Sequence, residues 1–196
     1  VAKASRVEVP EVLYDGSSGD PTLIAYDPGG VTGWALMQIA GEALTDPEYK
    51  IMNNVTHFSC GQFLGTEFSQ VDQMVALAED WPGAGLVIED FILRKFDRGR
   101  EVLSPVRITS AFRWAMSHAE SYVEGQAGRM VRVQQPSLAM TTMTDDRLKA
   151  LRYWERTTGT PHARDATRHV ITFARRLKED VRLRSAVFPA LFLTAA

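Results

Sequence analysis

Residues 22–39 hold the feature that most limits what this chain can become. An apolar run, Thr22-Leu23-Ile24-Ala25-Tyr26-Asp27, stops at Pro28-Gly29-Gly30, and a second run, Thr32 to Ile39, begins at once. Proline fixes one turn residue and glycine accepts a positive φ, so the chain reverses there. The pair is expected to be an antiparallel hairpin. It leaves Asp27 at the carboxyl end of an otherwise apolar strand.

The rest of the chain alternates strands and helices. A third strand is expected from His57 to Leu64. A helix follows from about Glu67 to Trp81, with Val71, Met74, Val75 and Ala78 on one side. Leu86-Val87-Ile88 is a short apolar run that ends in Glu89-Asp90 and reads as a buried parallel strand. Ser104-Pro105 has the form of a cap and first residue for a long helix to Gly125, whose apolar stripe includes Ile108, Phe112, Ala115 and Tyr122. Met130 to Gln134 gives another strand and Asp145 to Arg156 a shorter helix. Thr160-Pro161 opens a last helix to about Arg182 with the stripe Ala166, Val170, Phe173, Leu177, Val181. Strands first, then alternation, indicate an α/β sheet with helices on both faces. Residues 1–21 are expected to be a flexible arm, 22–182 the folded domain and 183–196 a tail.

Composition narrows the function classes. The 196 residues are 45% hydrophobic and 23% charged, as in ordinary soluble domains. The run from Ala186 to Ala196 is broken by Pro189 and is too short to span a bilayer. Lys3 and Arg6 precede no apolar stretch, so no secretion signal and a cytoplasmic location are expected. The single cysteine, Cys60, can form neither an internal disulfide nor a thiolate zinc site. Net charge is −2, but it is unevenly spread: residues 1–93 carry 14 acidic and three basic side chains, and residues 147–184 carry 11 basic and four acidic. Such asymmetry points to a polyanion-facing surface, or to a solvated Arg-rich helix face.

Acids at strand ends are the candidate chemistry. Asp27 and Glu89 close two separate apolar strands, at the sheet edge where open α/β folds bind ligands. Either one alone reads as a turn or capping carboxylate, and a lone Asp-Pro-Gly favours that reading. Two together at the rim of a core require a compensating cation. His162 and Asp165, three apart at the start of the last helix, project from one face and are acceptable ligands for a small divalent ion. His-x-x-Asp is also a common cap or ion pair. His169, one turn on, is placed to border the site but reads first as a surface histidine.

In order along the chain, these segments resemble one family. Ile24 to Gly29 with Thr32-Gly33-Trp34-Ala35-Leu36 is similar to the opening of RuvC-type Holliday junction resolvases. Val87-Ile88-Glu89 with Phe91 resembles their second acidic strand. Ser104 to Ala115 resembles their interface helix, and His162-Ala163-Arg164-Asp165-Ala166 their closing motif. The resemblance spans roughly residues 22–178. It implies a ribonuclease H-like fold: a five-stranded mixed sheet flanked by helices, its first three strands antiparallel and its last two parallel to the first. It implies Asp27, Glu89, His162 and Asp165 as ligands for two Mg²⁺ or Mn²⁺ ions, and a homodimer that nicks four-way DNA junctions in pairs, without a nucleotide cofactor. Arg94, Lys95, Arg98, Arg100, Arg147 and Lys149 are the candidates to hold flanking phosphates. The family's glycine-rich stretch is replaced here by Thr141 to Asp146, and the loop after Glu89 is longer and more basic; both resemble bacteriophage versions of the family. An RNA-processing nuclease of this fold and a non-cleaving junction binder are the alternatives. An actin-like ATPase shares the opening hairpin but needs two such domains.

Overall fold

The computed structural model describes residues 19–91, 103–119, 129–157 and 159–189. Five strands form one sheet: β1 (Thr22–Asp27), β2 (Thr32–Ile39), β3 (Val55–Phe63), β4 (Gly85–Glu89) and β5 (Val131–Gln134). Their spatial order is β3-β2-β1-β4-β5. β2 runs antiparallel to both β1 and β3, whereas β4 is parallel to β1 and β5 is parallel to β4. The expected α/β class and mixed five-stranded sheet are therefore present.

Alternation along β1 divides the interior into two cores. Leu23 and Ala25 face one side with Met37 and Val87, while Ile24 and Tyr26 face the other with Leu36 and Ile88. Neighbouring side chains on a strand point to opposite faces, so a buried central strand must be apolar throughout. The helices are α1 (Gly41–Thr45), α2 (Glu67–Asp80), α3 (Ser104–His118), α4 (Pro136–Thr142), α5 (Asp145–Ala150), α6 (Tyr153–Arg156), α7 (Pro161–Glu179) and α8 (Val181–Val187). Met74 and Leu77 of α2 and Ile108 and Phe112 of α3 cover the Tyr26 face. Val170, Ile171, Phe173 and Leu177 of α7 cover the other. Each such burial contributes roughly 1.5–3 kcal/mol.

Several expected boundaries shift. The helix expected over 145–156 breaks at Arg152, whose φ of 60° is left-handed, so α5 and α6 are separate short helices of six and four residues. The helix expected to reach Arg182 stops at Glu179, because Asp180 caps α8 by accepting from the Leu183 N–H at 3.0 Å. Residues expected as tail thus continue the fold: Phe188 lies in the core, and the buried Arg184 donates to the Leu44, Leu177 and Lys178 carbonyls. Neither Gly29 nor Gly30 takes a positive φ; the described glycines that do are Gly65 and Gly159. The four-residue connection from Pro28 to Val31 is wide enough to turn without one. Ser104 does not cap α3 but donates to the Gly29 carbonyl.

That connection is pinned from the Tyr26 side. Buried Gln70 of α2 donates to the Gly30 carbonyl at 3.0 Å and accepts from Thr32 Oγ1 at 2.6 Å. From the opposite side α7 presses on Gly33, which pairs with Asp27 across the hairpin. A Cβ built on Gly33 would stand 2.0 Å from the His162 carbonyl oxygen and 2.6 Å from the Ala163 nitrogen. Both are backbone atoms, so the helix itself must move to admit a methyl group. Gly33→Ala is therefore expected to cost about 3 kcal/mol by overpacking. Thermal unfolding checks it; a variant within 1 °C of the parent contradicts this packing.

Candidate metal centre at the carboxyl ends of the central strands

Asp27 ends β1 and Glu89 ends β4, and these strands are parallel neighbours in register from Leu23–Gly85 to Tyr26–Ile88. The two carboxylates therefore stand side by side. α7 begins above them, because its first turn rests on Gly33. His162 and Asp165 project from that turn, and all four residues line one cleft of about 230 Å³. The structure thus brings together four side chains that lie up to 138 positions apart in sequence.

Each member has a partner. His162 Nδ1 shares a hydrogen bond with Asp27 Oδ2 at 2.8 Å. His169 Nε2 lies 2.8 Å from Glu89 Oε2. Arg168 donates to Asp165 and to Asp145, and its Nε donates to the Met143 carbonyl. The expectation of a surface His169 is overturned: it is 1% exposed. His162 and His169 are seven apart, so two turns bring them to the same face of α7. That spacing was the available signal. Arg168, buried between the acids, carried none, since a basic residue on an Arg-rich helix reads as solvated.

Burial pushes the Asp27 carboxyl up to about 6, helped by the charges of Glu89 and Asp165 and opposed by the hydrogen bond from His162. The same hydrogen bond raises His162 above the ordinary imidazole value, against desolvation, with the charges of Asp27, Asp165 and Glu89 adding to the rise. Near neutral pH this corner of the cleft therefore favours retaining a proton between Asp27 and His162.

Three carboxylates and an imidazole are a hard-to-borderline donor set, which suits Mg²⁺ or Mn²⁺ in chemistry. Their present geometry is paired rather than ligating: among the described residues, no three His, Cys, Asp or Glu groups converge to hold an ion as they stand. The hydrogen bonds to His162, His169 and Arg168 account for this, because each turns a carboxylate oxygen toward a protein donor.

The basic candidates divide. Arg94, Lys95, Arg98 and Arg100 lie outside the described residues. Arg147 donates to the Thr141 and Thr142 carbonyls, closing α4, while remaining exposed. Lys149 is exposed, pairs with Asp146 at 3.6 Å and lies over the Trp154 ring. Much of the basic stretch 147–184 is structural. Arg164 stacks 3.7 Å above Trp154, and Lys178 donates to the Asp46 and Pro47 carbonyls.

The Asp27 and His162 shifts have a consequence for stability without metal. Asp27, raised from 3.8 to about 6, contributes stability that is complete below about 4 and is lost as pH rises through 6. His162, raised from 6.5, contributes stability that is complete below 6.5 and is lost as pH rises through its higher folded value. In EDTA the thermal midpoint is therefore expected to fall between pH 4 and pH 8. Asp27→Asn should flatten that slope and melt several degrees above the parent at pH 8. An Asp27→Asn slope equal to the parent's contradicts the assignment.

No protein-family model matches this chain, and no curated protein matches it.

Proposed function

We propose that the protein is a divalent-metal-dependent endonuclease of the RuvC-type, ribonuclease H-like class, acting on branched DNA and on four-way junctions in particular. The observation that carries this is the convergence of Asp27, Glu89, His162 and Asp165 on one cleft at the carboxyl ends of β1 and β4. The sheet order, with β2 reversed between β1 and β3, supports the same class.

Asp27, Glu89, His162 and Asp165 are the residues to hold two Mg²⁺ or Mn²⁺ ions, which supply Lewis acidity to phosphate oxygens and lower the pKa of a bound water. The chain's own contribution is placement and charge. Asp27, on the innermost of the acidic strands, offers the most buried carboxylate. To ligate, it gives up its hydrogen bond to His162, and Asp165 gives up Arg168. Without compensating cations the acids repel a DNA phosphate, so binding of substrate and of metal are coupled. Lys149 and Arg147, with the basic residues at 94–100, serve the flanking phosphates.

Paired nicks need two sites, and a homodimer through α3 supplies them. Trp114 on α3 is 67% exposed, and Phe68 of α2 is 82% exposed. Large aromatic side chains of this kind are enriched at interfaces.

Cleavage of labelled four-way junction, flap, linear duplex and structured RNA, in Mg²⁺ and in Mn²⁺, tests the proposal. The expected result is metal-dependent nicking of the junction at least tenfold faster than of linear duplex. Asp27→Asn should abolish nicking while binding the junction as tightly as the parent or more so. Sedimentation at micromolar concentration should give a dimer that Trp114→Ala weakens. Preferential cleavage of RNA favours the RNA-processing alternative; junction binding without any cleavage favours the non-cleaving one.

A further inference from the structure

The row of strand ends continues past Glu89. Gln134 closes β5 and is the register partner of Glu89, so Asp27, Glu89 and Gln134 stand on three successive parallel strands. His169 descends from α7 between the last two. Its Nε2 lies 2.8 Å from Glu89 Oε2, and its Nδ1 lies 2.9 Å from Gln134 Nε2. Gln134 Nε2 also donates to the His169 carbonyl oxygen at 3.2 Å.

This geometry fixes the histidine tautomer. Reversing the Gln134 amide would set its oxygen against the His169 carbonyl oxygen at that same separation, which is repulsive. Reversal would also gain nothing elsewhere, because Gln134 Oε1 is buried with no hydrogen-bond partner among the described residues and the amide nitrogen would replace it there. The amide nitrogen therefore faces Nδ1, and Nδ1 accepts. The ring hydrogen then sits on Nε2 and is donated to Glu89. An Nε2 that carries hydrogen has no lone pair for a metal.

We infer that His169 is a positioning residue for Glu89, not a fifth ligand: with its tautomer set by Gln134, it holds Oε2 by an N–H bond and leaves Oε1 for the ion. A buried imidazole donor does this without the full cation that a lysine or arginine would bring against the metal. The inference rests on the metal-dependent function proposed above. Partners of this kind, one bond removed from the metal, are worth about 10- to 100-fold in metal affinity.

Two measurements test it. Long-range ¹H–¹⁵N spectra of the metal-free protein should place His169 in the Nε2–H tautomer; the Nδ1–H tautomer overturns the inference. Calorimetry with Mn²⁺ should then give about 10- to 100-fold weaker binding for His169→Leu and binding within a few-fold of the parent for His169→Gln, which keeps a donor. Gln134→Leu removes the group that sets the tautomer, and should both mix the tautomers and weaken Mn²⁺; it serves where His169→Leu does not fold by circular dichroism. Parental Mn²⁺ affinity in folded His169→Leu, or in Gln134→Leu, overturns the positioning role and leaves the metal-dependent function standing. Failure of the parent protein to bind Mn²⁺ at all overturns both.

Discussion

Helix α7 lies so close to β2 that only a hydrogen atom fits at Gly33 between its first turn and the sheet. Everything in the cleft follows from that approach. It sets the His162 ring within hydrogen-bond reach of Asp27, which pairs with Gly33 across the hairpin. Two turns later it sets His169 against Glu89. The apolar face of α7, from Ala166 to Leu177, holds the helix down over the sheet, so the polar first turn is placed by the packing of the rest. The site is therefore built on rigid elements rather than on loops, as precise placement of reacting groups requires.

Electrostatics explains why the acids tolerate one another. Asp27, Glu89 and Asp165 would be costly together at the edge of a core if left unpaired. His162, His169 and Arg168 pair with them one for one. These partners are not equivalent. Arg168 is a permanent cation that also holds Asp145 and the Met143 carbonyl, so it ties α5 to the cleft. His162 is half exposed and joined to the most buried acid, which makes it the partner that solvent and metal reach first. His169 is enclosed and faces Gln134 as well as Glu89, so it is the least able to leave.

Much of this was legible in the residues. The strands showed through their apolar runs, and the hairpin through Pro28 and its two glycines, although neither glycine takes a positive φ and only Gly29 is closely approached, by the Val31 carbonyl and the His162 ring. Asp27 and Glu89 were visible because a carboxylate at the end of a buried strand conflicts with its surroundings. His162 and Asp165 were visible as a pair on one helical face. His169 was misread because burial of a polar residue depends on its neighbour in the sheet, and Glu89 lies 80 positions away in sequence. The basic stretch was ambiguous for a related reason. Charge counts do not distinguish a phosphate-binding arginine from Arg184 or Arg164, which close helix ends or stack on Trp154. Short helices such as α4 were missed because seven residues, fewer than two turns, carry too little periodicity to detect.

The central claim is that Asp27, His162 and Asp165 exchange their present partners for divalent metal, while Glu89 ligates through Oε1 and keeps His169 on Oε2. It is met most directly by a crystal grown with Mn²⁺ and an anomalous difference map collected at the manganese edge. Strong peaks are expected in the cleft, bonded to Asp27 and Glu89 and to the His162–Asp165 turn, with the His162–Asp27 hydrogen bond broken. An empty cleft at saturating Mn²⁺, with that hydrogen bond intact, or manganese bound only elsewhere on the protein, contradicts it.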